Sequence, residues 1–325
     1  MIYFGANPYA GETFFGFFAV LLQRIAAFFL RSSESGLMSD EIQCIVLVLL
    51  GLSLAFLGSF LVVKQMTMLA NALSHTLLVG IVIAFLILHQ FLGGVFFLES
   101  FSSMKVLWVA ALITGLITTL STELLTHKFK VQEDASIGLV FTTLFALGIF
   151  LVTVFTRNMH IGVEAIMGNI DVLHIDDIQS AGMFTLVTLC VYLLFFRGFF
   201  AAAFDPIFSK TLGFPVRRLD YLLMVLTAGG AIASFRAVGV LLFLALLVGP
   251  VLIARLYTHS LKKMIFFSFV ISSSCSLFSV ALSRHILTVF QKPISTSGLI
   301  VSCLFSVYLL ALWSSKKGKV LKKFS

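Results

Sequence analysis

The sequence predicts an all-α, polytopic membrane protein with about eight to ten transmembrane helices. Three observations carry that reading. The 325 residues are 60% hydrophobic and 11% charged, with a mean hydropathy of +1.10, far too little polar material to clothe a soluble domain of this size. Apolar stretches of roughly 17 to 25 residues recur along the chain, each long enough to cross a ~30 Å hydrocarbon core as a helix. The ten-residue alternating segments of a membrane β-barrel are absent.

Taken in order, helices are predicted over 14–30, 43–63, 66–98, 106–125, 136–156, 180–200, 219–234, 238–257, 264–288 and 298–313. The first carries Arg24 in its middle, so it either spans or lies in the interface. No Lys or Arg precedes it and "FFLRSSESG" offers no clear small-residue cleavage site, so it does not read as a cleaved signal peptide. The 66–98 segment is too long for one straight crossing, and a break is expected at Gly93–Gly94. Glu133 and Asp134 open the 136–156 helix, where carboxylates favour the positive end of the helix dipole. Between the sixth and seventh helices, "FDPIFSKTLGFPVRRLD" predicts a short helix ending at Gly213 with Pro215 just beyond. Pro250 lies inside the 238–257 helix, where it frees a carbonyl and is expected to kink or loosen the helix. Gly229, Gly230, Gly239 and Gly249 would let neighbouring helices approach closely.

Basic residues orient the chain. With the C-terminal "KKGKVLKKF" cytoplasmic, the loops around 64, 126–135, 197–218 and 255–263 are cytoplasmic too, and together they hold 15 of the 22 Lys and Arg residues. The opposite loops hold Arg31, Lys105, Arg157, Arg236, Arg284 and Lys292, together with Glu34, Asp40, Glu41, Glu99, Glu164, Asp171, Asp176 and Asp177. The net charge of +8 is therefore spent on membrane orientation and does not indicate nucleic acid.

"LANALSHTLLVG" (69–80) places polar groups deep in an apolar helix. His75 is eleven residues beyond Lys64, about 16 Å into the membrane at the helical rise. Asn71 and His75 share a face, with Ser74 beside them. Groups at that depth usually face the bundle interior or a water-filled path. Two readings stand: His75 and Asn71 lie on a transport route, or His75 hydrogen-bonds a neighbouring helix and fixes packing. The outer loop "EAIMGNIDVLHIDD" (164–177) could attract cations by Coulomb steering, against the plain reading of a solvated loop.

Enzyme classes find no support. No GxxxxGK[ST] phosphate loop, HExxH or GxSxG is present, and no soluble nucleotide-binding domain fits between the spans. Cys44, Cys190, Cys275 and Cys303 form no CxxC pair and read as packing residues.

Six segments in order carry a family resemblance: "GSFLVVKQMTMLANALSHTLLVGIVIAFLI" (58–87), "EDASIGLVFTTLFALGIFLV" (133–152), "EAIMGNIDVLHIDDI" (164–178), "FDPIFSKTLGFPVRRLDYLL" (204–223), "AVGVLLFLALLVGPVLIARLYT" (237–258) and "ALSRHILTVFQKPISTSG" (281–298). The chain resembles the metal-type ABC importer permeases, the membrane subunits of manganese, zinc and iron uptake systems, from about residue 43 to 313. Residues 1–42 form an N-terminal extension with the possible first helix, 43–313 the permease domain, and 314–325 a basic cytoplasmic tail.

That resemblance implies a type II importer fold in a bacterial inner membrane, moving divalent metal ions by alternating access. It implies a cytosolic ABC ATPase that holds the ATP, a second permease copy or paralogue, an extracytoplasmic metal-binding protein, and membrane lipid around the spans. No cofactor is implied for this chain itself. The family's Gly-x-Pro-Val segment is its coupling helix, which puts Phe208, Lys210, Gly213, Phe214 and Pro215 at the ATPase. Its Ser-His pair falls on Ser74 and His75, with His75 and Asn71 on the metal path. The family commonly has Asp where this chain has Asn71, and often Gly where it has Ala281. The Gly-Asn outer loop resembles manganese and iron systems more than zinc ones. The alternative is a secondary transporter or channel needing no ATPase; internal repeats and paired membrane acids would favour it, and neither is evident. A membrane scaffold without transport is a third class, which the polar His75 and Asn71 disfavour.

Overall fold

The structure, a computed structural model, describes residues 8–9, 11–29, 37–92, 104–155 and 170–324. All the regular structure among them is helical. In chain order the helices are α1 (Phe14–Phe29), α2 (Ser39–Val63), α3 (Thr67–Leu92), α4 (Met104–Glu123, extended by a π-turn Leu124–Lys128), α5 (Glu133–Phe155), α6 (Ile175–Phe204, after a 3₁₀ turn Ile170–Val172), α7 (Pro206–Thr211), α8 (Val216–Tyr257), α9 (Leu261–Phe290) and α10 (Thr296–Phe324). Among the described residues five stretches are long and apolar enough to cross a membrane: Ser39–Val63, Ile175–Phe204, Ala237–Tyr257, Leu261–Phe290 and Thr296–Ser314. The expected break at Gly93–Gly94 lies outside the described residues, and so does the Gly168–Asn169 part of the outer loop.

The chain divides into two compact units. One comprises Met1–Ala55, Asn169–Met183 and Ala245–Ser325, the other Phe56–Gly168 and Phe184–Leu244.

In the first unit, carboxylates that composition would assign to solvated loops are structural. Asp40 is fully buried and ion-paired with Arg284. Glu41 accepts from the Met38 amide at 3.0 Å, capping the start of α2, and is ion-paired with Arg24 of α1. The Tyr9 hydroxyl donates to the same carboxylate at 2.9 Å, and burial raises the phenol above its ordinary value, as does the neighbouring charge. So Tyr9 stays a donor. Arg24 is thus held by the start of α2. With 16 residues, α1 reaches about 24 Å, less than a full crossing. On the α6 side, Asp177 is buried and accepts from the His174 amide at 2.8 Å, reaching back as in a capping box. Asp171 accepts from the Thr296 hydroxyl at 2.6 Å. The described part of the outer loop is therefore not merely solvated: it caps α6 and ties itself to α10.

In the second unit, α3 packs against α4 and α5. Leu69, Ala72 and Leu73 of α3, Ile137 of α5 and Ala228 of α8 form a buried core, with Phe141 and Met224 against it. The turn from α2 to α3 is tight. Gln65 takes a left-handed conformation at φ 60°, the Met66 amide bonds the Leu61 carbonyl at 2.8 Å and the Gln65 amide bonds that of Val62 at 3.3 Å. This is a Schellman stop. Lys64, in the same turn, is ion-paired with Asp220 of α8, the lysine only 10% and the aspartate 30% exposed.

The predicted helices 219–234 and 238–257 run end to end within α8 and are parted at Gly239, whose φ of 75° and ψ of 168° are non-helical. A side chain there would strain the backbone, so Gly239 serves conformation. Pro250 lies inside the second part of α8. One expectation changes: the last helix does not stop at 313 but continues to Phe324.

Removing Asp220 leaves a nearly buried ammonium without its carboxylate. Asp220→Ala is expected to lower unfolding stability in detergent by about 2–3 kcal/mol. The Lys64→Met/Asp220→Leu pair is expected to recover most of that loss, because an apolar pair needs no desolvation of charge.

Candidate functional site

The two sequence motifs of interest fall in the second unit. On α3, Ser74 is buried and its hydroxyl donates to the Ala70 carbonyl at 2.8 Å, closing onto its own helix. His75 does not make the interhelical hydrogen bond that the packing reading required. Its ring packs against both Phe141 and Phe145 of α5, with centroids 5.4 and 5.3 Å away. No described residue hydrogen-bonds the imidazole. Asn71 and His75 are both half-buried, and Met68 on the same face is 62% exposed. Positions 68, 71 and 75 follow the i, i+3, i+7 spacing of one helix stripe, and this stripe is incompletely covered.

The bond that does join α3 to a neighbour uses Thr76, which sequence reasoning passed over. Thr118 of α4 and Thr76 stand 3.0 Å apart, hydroxyl to hydroxyl, both buried. Thr118 belongs to a ladder. Thr114, Thr118, Thr122 and Thr126 each bond the carbonyl four residues back, at 2.7 to 2.9 Å. The signal was in the sequence as four threonines at a strict spacing of four.

The ladder leads to a cavity of about 520 Å³ at the end of the unit that carries Lys64. Thr122, Glu123 and Thr126 line one wall, Lys64 and Gln65 another, Arg217 and Asp220 a third, and Lys210 of α7 reaches it. Arg217 stands 3.4 Å from Glu123. The loops assigned to one membrane side by counting Lys and Arg do converge here: residues around 64, 126 and 206–217 share one cavity. Among the described residues no group of three or more His, Cys, Asp or Glu side chains could hold a metal ion. Among the described residues His75 therefore belongs to no such group.

The second motif is α7. Asp205 caps it, its carboxylate accepting from the Ile207 and Phe208 amides at 3.0 and 2.9 Å, and Pro206 occupies the first helical position, where its missing amide costs nothing. The helix stops by another Schellman arrangement. The Phe214 amide bonds the Ser209 carbonyl at 3.0 Å and the Gly213 amide that of Lys210 at 3.1 Å, with Gly213 at φ 83°. Both ends of a six-residue helix are thereby closed locally, as the sequence predicted for its C-terminal end. Ile207, Phe208 and Leu212 are 76%, 57% and 55% exposed, an apolar surface beside the exposed Lys210 and Pro215. Phe214 is half-buried.

The profile of the ABC 3 transport family matches residues 41–315. The chain belongs to the ABC 3 transport family. This family chain is 38% identical over 319 residues to a probable metal transport system membrane protein of Chlamydia trachomatis, covering 98% of this chain and 97% of that one. It is 33% identical over 290 residues to the manganese transport system membrane protein MntD of Bacillus subtilis, covering 85% and 92%. Its fold is similar to that of PsaBC from Streptococcus pneumoniae, solved in complex with Fab, at a TM-score of 0.71 and 24% identity over 94% of this chain and all of that one. The expected permease fold and family are thus established, as a multi-pass, all-helical membrane protein.

Asp205→Ala removes both capping bonds of α7. It is expected to cost about 1 kcal/mol locally and to speed hydrogen exchange at the Phe208 and Ser209 amides. Asp205→Asn, which also caps, is expected to leave that exchange near the native rate.

Proposed function

We propose that this chain is the permease subunit of an ATP-driven importer of divalent metal ions, with manganese the first candidate. The observation that carries the reading is the 33% identity to a manganese transport system membrane protein across 92% of its length, beside 38% identity to a probable metal transport protein. The chain works in a bacterial inner membrane, paired with a second permease copy or paralogue, and receives its cargo from an extracytoplasmic metal-binding protein. ATP is hydrolysed by a separate cytosolic ABC subunit, so this chain is no enzyme and binds no cofactor of its own.

The mechanism is alternating access. Helix α7 is the contact with the ATPase, through Phe208, Lys210, Gly213, Phe214 and Pro215. Its two local caps support this, because a short helix closed at both ends can transmit a push as one body. Lys210 places α7 on the wall of the cavity that also holds Lys64, Glu123, Arg217 and Asp220, so its displacement would bear on ion pairs that tie α2 and α4 to α8.

The metal passes the half-covered stripe of α3, where His75 and Asn71 offer an imidazole nitrogen and an amide oxygen. Imidazole suits manganese, iron and zinc alike. A lone nitrogen and a neutral oxygen bind weakly, which favours passage over retention.

Reconstitution with its ATPase and measurement of ATP-dependent uptake of manganese, iron and zinc tests the reading. Uptake that proceeds without the ATPase would overturn it. His75→Ala is expected to cut uptake roughly tenfold, about 1.4 kcal/mol in the rate-limiting step, with ATPase docking intact. Phe208→Asp is expected to leave the permease folded and uptake abolished while ATP hydrolysis persists; retained coupling would remove α7 from the interface.

A further inference from the structure

Helix α9 carries an unusual run of hydroxyls, "SFVISSSCSLFSVALS" over 268–283. At 100° per residue, Ser268, Ser272, Ser276, Ser279 and Ser283 fall within one arc of about 80°. The first four are buried, none more than 1% exposed. Only Ser268 among these four returns its hydroxyl to the backbone, bonding the Met264 carbonyl at 2.7 Å. Among the described residues the Oγ atoms of Ser272, Ser276 and Ser279 have no hydrogen-bond partner, and neither does the flanking Ser273 Oγ.

On α4, Thr114 and Thr122 bond the carbonyl four residues back, and on α10 Ser302 and Ser306 do so at 2.8 Å. The other buried hydroxyls without a partner among the described residues, Ser136, Thr188, Ser209 and Ser234, fall one to a helix, whereas the α9 serines share one buried face. A Cβ on Gly51 of α2 would lie 2.8 Å from Ser272 Oγ and 3.9 Å from Ser273 Oγ. At its outer end the run meets a second hydroxyl network. Ser283 Oγ stands 3.1 Å from Thr296 Oγ1, which donates to the exposed Asp171 carboxylate. All of these residues belong to the first unit.

A buried hydroxyl without a partner is costly, and several in sequence on one face call for a common partner. Side chains one helical turn apart are spaced about 5–6 Å. That is twice an ordinary O–H···O distance, so one water fits between each pair. Buried waters take up about three hydrogen bonds each from groups left unsatisfied by the protein. We propose that the serine face of α9 binds a file of ordered water molecules, running from the Asp171–Thr296–Ser283 network inward to Ser268. Each water bridges successive hydroxyls. The file hydrates the first unit separately from the α3 stripe, which lies in the other unit.

Radiolytic hydroxyl-radical footprinting of the full chain in lipid nanodiscs tests this, because radicals formed from bound water label the side chains beside it. Cys275, 6% exposed and on the edge of the serine face, is the reporter, and Tyr257, 59% exposed, is the control. Cys275 is expected to be modified at a rate within threefold of Tyr257 despite its burial. In Ser272→Ala/Ser276→Ala/Ser279→Ala that rate is expected to fall at least fivefold with Tyr257 unchanged. If the triple variant does not fold, Ser276→Ala alone is expected to slow Cys275 at least twofold. Slow labelling of Cys275 in the native chain means a dry face and overturns the proposal. So does labelling that the serine substitutions leave unchanged.

Discussion

A peptide group in hydrocarbon has no water to bond, and every structural choice in this chain follows from that constraint. It selects helices throughout the described residues. It also governs the side chains that apolar helices carry. Thr114, Thr118 and Thr122 of α4 bond the carbonyl of the preceding turn, and Thr118 also meets Thr76 of α3 hydroxyl to hydroxyl. Ser74 closes onto its own helix in the same way on α3. Polar residues so bonded thread the membrane interior at little cost, a pattern that the half-covered imidazole of His75 and the buried serine face of α9 do not follow.

Charge obeys the same constraint at the helix ends. Asp40, Glu41, Asp177 and Asp220 are each bound to a cation, an amide or both. The N-terminal segment illustrates the consequence. Arg24 would be costly in an isolated apolar helix, yet Glu41 holds it at the start of α2, with Tyr9 on the same carboxylate. An element outside the family match at 41–315 is thus tied to its first matched residue. The loop 164–177 read either as a cation-attracting cluster or as a plain solvated loop; in its described part Asp177 closes the start of α6 and Asp171 accepts from Thr296.

The stripe at Met68, Asn71 and His75 and the helix α7 share a design. Each presents side chains that its own unit leaves partly open, on a backbone that is locally complete. In the same unit a cavity is walled by two ion pairs and the threonine ladder, with Lys210 of α7 in its lining.

The sequence by itself determined the fold class, the approximate spans and the sets of loops that share a side, because hydropathy and Lys/Arg placement are properties of single segments facing a bilayer. It also determined α7, whose Asp205–Pro206 start and Gly213 stop are local chemistry. Tertiary structure alone decided what depends on a neighbour. It assigned the interhelical bond to Thr76 rather than His75. It turned Glu41 and Asp177 from loop charges into caps. It also left Ser272, Ser276 and Ser279 of α9 without a partner among the described residues. A hydroxyl's partner, unlike its depth, is set by which helix packs beside it, and no spacing along one chain segment encodes that.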